Sequence, residues 1–174
     1  MPDTDVDIAR ADDALSIQER LYPNLPCFGC GQGNPKGLQL KSYPVGDRGG
    51  AGRGGGERAG VTAAFMPWPE HDNGLGYLNG GIIGTVLDCH SAAAVMLEAE
   101  RQGWPPLPGA DLSYVTAGLD VRYLRPAPLH DEVELFATVT ESDEPQMTVS
   151  VELRFDGKVR AQATAVWKRW RPRT

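Results

Sequence analysis

The stretch VELFATVTESDEPQMTVSVELRFDGKVRAQATAVW, residues 133–167, decides the fold of this chain. Apolar and polar side chains alternate through it in three runs, at residues 133–139, 147–155 and 159–167. A repeat of two indicates a strand with one buried face. Asp156-Gly157 joins the last two runs with the chemistry of a two-residue hairpin, and residues 143–145 form a comparable turn. The stretch therefore predicts an antiparallel meander.

Three more strands are predicted outside the meander, at residues 38–43, 61–66 and 119–123. The first and third alternate in the same way, and the second is the return of the first. Residues 46–60 lie between the first two strands, and eight of these fifteen residues are glycine. Because that composition cannot build a packed core, we expect a flexible loop there.

One long helix is predicted over residues 80–101. Its apolar positions recur at helical spacing, and Gly103 and Pro105 end it. A sheet with one apolar face needs a cover, and only this helix is long enough to provide it. The sequence therefore predicts an α+β architecture, in which an antiparallel sheet curls around a single central helix.

The 174 residues amount to one domain. We expect residues 1–26 to be an N-terminal extension with a short helix over residues 12–21, which Asp12 caps and Pro23 ends. Residues 27–174 then form the single domain.

Charge and hydropathy narrow the classes of partner. The 17 Lys and Arg residues against 23 Asp and Glu residues give a net charge of −6, which argues against nucleic-acid binding. The acidic N-terminus, MPDTDVDIARADDALS, lacks the basic and apolar regions of a secretory signal. The longest apolar runs, residues 81–87 and 92–97, are too short for a membrane span. We expect a cytoplasmic protein with no nucleic-acid or membrane partner.

Three cysteines are too few for a disulfide framework in a chain of this length. Cys27 and Cys30 form a CxxC pair, but no second pair follows to complete a four-ligand zinc site. Cys89, His71 and His90 could supply further ligands, although their spacing does not indicate it. The expectation is no bound metal, with a zinc or redox role for the pair as the alternative.

Two features suggest a catalytic site. Residues 71–81 are rich in glycine and lead into the long helix, where uncovered backbone N–H groups and the helix dipole favour an oxyanion or a polarised carbonyl. The alternative is a simple turn with Asn79 as the helix cap. The second feature is Asp88, a carboxylate among apolar helix residues, which is either paired for structure or desolvated as a base or nucleophile.

Gly80 and Asp88 are eight residues apart, which is about 12 Å along a helix. One small reacting group cannot touch both within one chain. If both act on the same substrate, a second subunit supplies one of them, so the sequence argues for a dimer with shared sites.

The segment NGGIIGTVLD at residues 79–88, with Asn73 before it and TAGLDVRYLRP at residues 116–126 after it, resembles the hotdog-fold acyl-CoA thioesterases of the phenylacetate-degradation type. CFGCGQGNPKGLQL at residues 27–40 is similar to a segment of bacterial members, and the likeness covers residues 27–170. It implies a hotdog fold and hydrolysis of an acyl-CoA thioester to a carboxylic acid and coenzyme A. It also implies no cofactor beyond the coenzyme A of the substrate, and a homodimer or homotetramer with active sites at the subunit interface.

The resemblance also implies roles for individual residues. Gly80 and Gly81 match the helix-start amides that hold the thioester oxygen, and Asn73 matches a side chain that places the thioester or the attacking water. Asp88 matches the catalytic carboxylate, as general base or nucleophile. Thr116 matches the hydroxyl that orients the water, and the same subunit supplies it with Asp88.

Asn79 stands where many family members have histidine, so we expect it to position groups rather than to titrate. Arg122 and Arg125 are candidate contacts for the coenzyme phosphates. His90 is a candidate polar group at the substrate, with a buried core histidine as the alternative. The substitution at Asn79 keeps open a second function, a hotdog protein that binds acyl thioesters without hydrolysing them. A hotdog hydratase is disfavoured, because no Asp/His pair has the spacing that this chemistry uses.

Overall fold

The computed structural model describes residues 15–45 and 60–173. In chain order the elements are α1 (Ile17–Leu21), β1 (Ser42–Pro44), β2 (Gly60–Phe65), a short 3-10 turn (Pro69–His71), α2 (Gly80–Gln102), β3 (Tyr114–Tyr123), β4 (Val133–Asp143), β5 (Gln146–Phe155) and β6 (Lys158–Arg169). The strands form one antiparallel sheet in the order β1-β2-β4-β5-β6-β3, and α2 packs against it. The predicted α+β architecture is confirmed. The predicted loop at residues 46–60 lies outside the described residues, except for Gly60.

The three central strands follow the predicted alternation. Their inward side chains are buried under α2, from Val133 and Leu135 in β4 to Ala165 and Trp167 in β6. Asp156 and Gly157 join β5 to β6 with φ angles of 52° and 66°, the left-handed pair that a two-residue hairpin turn requires.

The central helix α2 begins and ends with regular caps. Asn79 caps its start, and Gly103 ends it in the left-handed conformation with φ 72°. By length and hydropathy α2 could cross a membrane, which the sequence analysis did not recognise. However, 67% of its most apolar window is buried inside the protein, as in the core helix of a globular domain.

The helix α1 is shorter than predicted. It begins at Ile17, and Ser16 caps it in a reciprocal capping box with Glu19. The predicted cap, Asp12, lies outside the described residues. Arg20 binds Glu100 through two hydrogen bonds of 2.6 and 2.9 Å, which connect α1 to the end of α2.

The strand predicted at residues 38–43 is wrong over most of its length, because only Ser42–Pro44 pair with β2. Leu38 and Leu40 are buried, but their amides donate to the carbonyls of Phe28 and Gly29. The intervening Gln39 has φ 51°, which interrupts an extended strand.

Strand β3 is an edge strand of ten residues, twice as long as predicted. One side pairs with β6, and the other side has no partner strand among the described residues.

Candidate active site

Asp88 lies in the first half of α2, half-buried beneath the edge of the sheet. The hydroxyl of Thr116 donates a hydrogen bond of 2.9 Å to Asp88 Oδ1 within the same chain. The other carboxylate oxygen accepts no hydrogen bond from the described part of the chain. Burial raises the pKa of Asp88 above its ordinary value, and the bond from Thr116 opposes that shift. The result is a carboxylate with one oxygen fixed and one oxygen available.

A β-bulge in β3 aims Thr116 at the helix. Thr116 pairs with Trp167, but the next pair is Gly118 with Val166, so Ala117 is the extra residue. Trp167 points inward, and its partner Thr116 therefore faces α2 as well. Bulges re-aim side chains in this way beside active sites.

The backbone of α2 at Asp88 is held by two further side chains. The Ser91 hydroxyl donates to the carbonyl oxygen of Asp88 at 2.7 Å, and the Trp167 indole N–H donates to the Ser91 hydroxyl oxygen at 3.0 Å. Both side chains are buried. This chain of bonds fixes the position of Asp88 relative to the sheet.

The start of α2 offers one free amide rather than the predicted pair. Asn79 Oδ1 accepts from the amides of Gly81 and Ile82 at 2.8 and 3.3 Å. The Gly80 amide has no hydrogen-bond partner in the described ranges. Gly81 is therefore occupied by the cap, and Gly80 carries the N–H that an anionic oxygen could accept at the positive end of a 23-residue helix.

Asn73 lies in the exposed loop before the helix and shapes that loop. Its side-chain oxygen accepts from the amides of Leu75 and Tyr77 at 2.8 and 3.3 Å. Asn73 therefore uses its oxygen locally, and only its amide nitrogen remains for a ligand.

His90 lies in the core, where the alternative of a buried core histidine placed it, and not at an exposed position beside Asp88. His90 is fully buried, with Ser42 Oγ at 2.9 Å from Nδ1 and the Val61 carbonyl at 3.1 Å from Nε2. Burial lowers the pKa of His90 to about 4, so the ring is neutral. Because the Val61 carbonyl oxygen can only accept, Nε2 carries the ring proton, and Nδ1 accepts a hydrogen bond from the Ser42 hydroxyl.

Arg122 and Arg125 lie apart from Asp88 within their own chain. Arg122 pairs with Gln162 on the outer face of the sheet, turned away from α2. Arg125 follows the end of β3 and donates to the Val159 carbonyl at 3.3 Å. Both are exposed.

Tyr123 is a residue that the sequence analysis missed. Its hydroxyl donates to the Gly80 carbonyl oxygen at 2.8 Å, joining the end of β3 to the start of the helix. A signal was present, since Tyr123 ends a predicted strand and begins the motif Tyr-x-Arg-Pro, but side-chain alternation alone assigns it only to the inner face.

Comparisons with known proteins support the same family as the residues do. The sequence model of the thioesterase superfamily matches residues 75–161, half of the chain. No curated protein matches it.

Solved structures share the fold. A thioesterase superfamily protein from Shewanella loihica PV-4 is 26% identical with a TM-score of 0.58, over 80% of this chain and 98% of that one. A phenylacetic acid degradation-related protein from Ralstonia eutropha JMP134 is 27% identical with a TM-score of 0.54, over 63% of this chain and 75% of that one. The PaaI protein from the phenylacetic acid degradation operon of E. coli is 16% identical, with a TM-score of 0.53 over 64% and 73% of the two chains, and supports the fold alone.

Proposed function

The chain belongs to the thioesterase superfamily, with the antiparallel sheet and one long helix of the hotdog fold, and we propose that it hydrolyses an acyl-CoA thioester using Asp88. The hydrogen bond of 2.9 Å between Thr116 Oγ1 and Asp88 Oδ1 carries this proposal. It pairs a half-buried carboxylate with a hydroxyl on the edge strand, and leaves the second carboxylate oxygen open to a water molecule.

In the proposed reaction Asp88 is the general base. It removes a proton from water while the water oxygen attacks the thioester carbon. The carbon–sulfur bond then breaks, the thiolate of coenzyme A leaves and takes up a proton, and the acyl group departs as a carboxylic acid. Thr116 orients the carboxylate, and through it the water. Direct attack by the open Asp88 oxygen is the nucleophilic alternative.

The Gly80 amide is the proposed donor to the oxyanion. It points from the positive end of α2 with no partner in the described residues, and Tyr123 fixes the carbonyl of the same glycine. Pre-oriented backbone donors of this kind stabilise the charge that develops on the thioester oxygen.

We further propose that the active site forms between two copies of the chain. Gly80 and Asp88 are about 12 Å apart along α2, too far to act on one carbonyl. β3 contains Thr116 and is ten residues long, and its outer edge has no partner strand among the described residues. An open edge of that length favours pairing with a second strand. A homodimer, or a tetramer of two such dimers, joins Gly80 of one copy to Asp88 of the other.

Arg122 and Arg125 are proposed contacts for the coenzyme phosphates. They lie in sequence on either side of Tyr123, and both side chains are exposed, so they are accessible to a phosphate group. A guanidinium binds phosphate oxygens through paired hydrogen bonds.

A second candidate function is binding of acyl thioesters without hydrolysis. One observation favours it: Asn79, a residue that does not titrate, covers the Gly81 amide and leaves a single helix-start donor.

Thiol release from short, medium, long and aryl acyl-CoAs tests the first function against the second. We expect turnover of at least one substrate, and a loss of about 100-fold or more in kcat for Asp88→Asn. Asp143→Asn is the matched control, because Asp143 is exposed at the distant β4–β5 turn. Binding of acyl-CoA with no thiol release by the folded wild-type protein would establish the second function instead.

A further inference from the structure

Three cysteine side chains meet beside the candidate active site. The sulfur atoms of Cys27, Cys30 and Cys89 all lie within 4.8 Å of one another. Cys27 and Cys30 come from the turn before β1, and Cys89 follows Asp88 in α2. Cys30 and Cys89 are buried and Cys27 is half-buried. These are all the cysteines of the chain, and the fold gathers them at one point.

We propose that this three-cysteine cluster binds a zinc ion through three thiolates. Zinc–sulfur bonds of about 2.3 Å at tetrahedral angles separate two sulfur atoms by about 3.8 Å. The Cys27 and Cys89 sulfur atoms are 3.7 Å apart. The expectation of no metal rested on the lack of a second CxxC pair, and the fold supplies the third thiol from the helix instead.

The turn around the CxxC pair is held by backbone hydrogen bonds. The Leu38 and Leu40 amides donate to the Phe28 and Gly29 carbonyl oxygens at 2.7 and 3.0 Å. A turn fixed in this way holds its two thiols in one arrangement, and the thiolate is the form that binds metal. The turn is closed by a hydrogen bond of 2.9 Å from the Gly31 amide to the Cys27 carbonyl.

Gly29 allows the turn to approach the helix. A Cβ atom at this position would overlap the Cys89 sulfur. The absence of a side chain at Gly29 therefore lets the third thiol join the other two, and any larger residue would separate them.

The ion would be bound by the chain at three positions. No fourth His, Cys, Asp or Glu joins the group within the described residues, so the fourth position falls to water or a small anion. His90, the next residue along α2, uses both ring nitrogens elsewhere. Binding releases the thiol protons to solvent and connects the N-terminal turn to the helix that carries Asp88.

Metal content of the full chain tests this proposal independently of hydrolysis. The protein is expressed with added zinc, desalted under reducing conditions and analysed by mass spectrometry for metals. We expect one zinc per protomer in the wild-type protein and in His130→Gln, which controls for ions on surface histidines. We expect none in Cys27→Ser, whose fold is checked by circular dichroism.

Cobalt substitution identifies the ligands. Thiolate-to-cobalt charge-transfer absorption in the near ultraviolet should appear in the wild-type protein and weaken in Cys27→Ser or Cys30→Ser.

Two results would overturn the proposal. One is reduced wild-type protein that contains no zinc and gives no cobalt charge-transfer band. The other is a band of equal intensity in the cysteine variants. Neither result bears on thioester hydrolysis, which is measured separately.

Discussion

The Tyr123 hydroxyl donates a hydrogen bond of 2.8 Å to the Gly80 carbonyl oxygen, so the end of the edge strand fixes the first residue of the central helix. The Gly80 amide that we propose as the oxyanion donor belongs to this same residue.

Removing that bond should affect catalysis more than folding. Tyr123 is 57% exposed, so Tyr123→Phe should lower the free energy of unfolding by no more than about 1 kcal/mol. We expect kcat to fall several-fold with little change in KM, because the amide is less well aligned. Tyr43→Phe is the control. Equal kcat values for Tyr123→Phe and the wild-type protein would show that the Tyr123 hydroxyl does not contribute to catalysis.

Gly80→Pro tests the amide itself. Gly80 is the first residue of α2, where proline is accepted, and the preceding Asn79 has φ −61° and ψ 135°, which proline permits. The nearest atoms that a Cβ at Gly80 would meet belong to the Tyr123 side chain, at 3.5 Å, which is an ordinary contact. The helix should persist while kcat falls by about 10²–10³, and Gly80→Ala, which keeps the N–H, should remain active.

Mixing two inactive variants tests the shared site. In a heterodimer of Gly80→Pro and Asp88→Asn, one of the two sites contains both native residues. After random exchange of subunits we expect recovery of about a quarter of the wild-type activity. If the mixture stays inactive although heterodimers form, each site lies within one chain.

His90→Ala should destabilise the protein without changing KM. The substitution leaves a cavity and removes the hydrogen-bond partners of Ser42 and Val61, at a cost of about 2–4 kcal/mol in the free energy of unfolding by urea. Ser42→Ala should be non-additive with it in a double-mutant cycle. His130→Ala, on the surface, is the control. A raised KM at unchanged stability would instead indicate that His90 contributes to substrate binding.

Glu19 should make the free energy of unfolding depend on pH. The hydrogen bond of 2.7 Å from Lys41 is the main cause that lowers the pKa of Glu19 to about 2, with help from the Ser16 amide. Because the folded pKa is below the unfolded value of 4.5, the stabilisation is complete above about pH 5 and is lost as pH falls toward 2.

The measurement compares urea unfolding of the wild-type protein with that of Glu19→Gln. We expect Glu19→Gln to be about 1 kcal/mol less stable at pH 7, since the pair is partly exposed, and the difference should shrink below pH 5. Glu70→Gln, at an exposed carboxylate, should show no such trend. A difference that is constant from pH 7 to pH 3 would contradict the assignment.

The central strands were predictable from sequence because side-chain alternation reports directly which face is buried. β3 was not predicted in full, since the bulge at Ala117 interrupts the alternation between Thr116 and Leu119. The prediction of a strand at residues 38–43 was wrong although the alternation is present. Leu38 and Leu40 are both buried, but their amides donate to carbonyl oxygens of a turn and not to a neighbouring strand.

The candidate site was predictable where one helix or one motif held its residues. Asp88 and Gly80 share a helix, so their separation followed from helical rise. The meeting of Cys89 with Cys27 was not predictable, because it depends on where a loop packs 62 residues away. The hydrogen bond between His90 and Ser42 was likewise not predictable, because the sequence does not show that these two residues are neighbours.

The bulge at Ala117 also means that the edge strand holds one residue more than its pairing with β6 uses. Deleting Ala117 would leave Thr116 opposite Trp167 and Gly118 opposite Val166, so Leu119 and Val121 would still face the core. A one-residue deletion in the regular part of the strand would instead turn the side chains beyond it to the other face. Loss of Ala117 therefore preserves the two faces of β3 and removes only the local bend and extra twist beside Thr116.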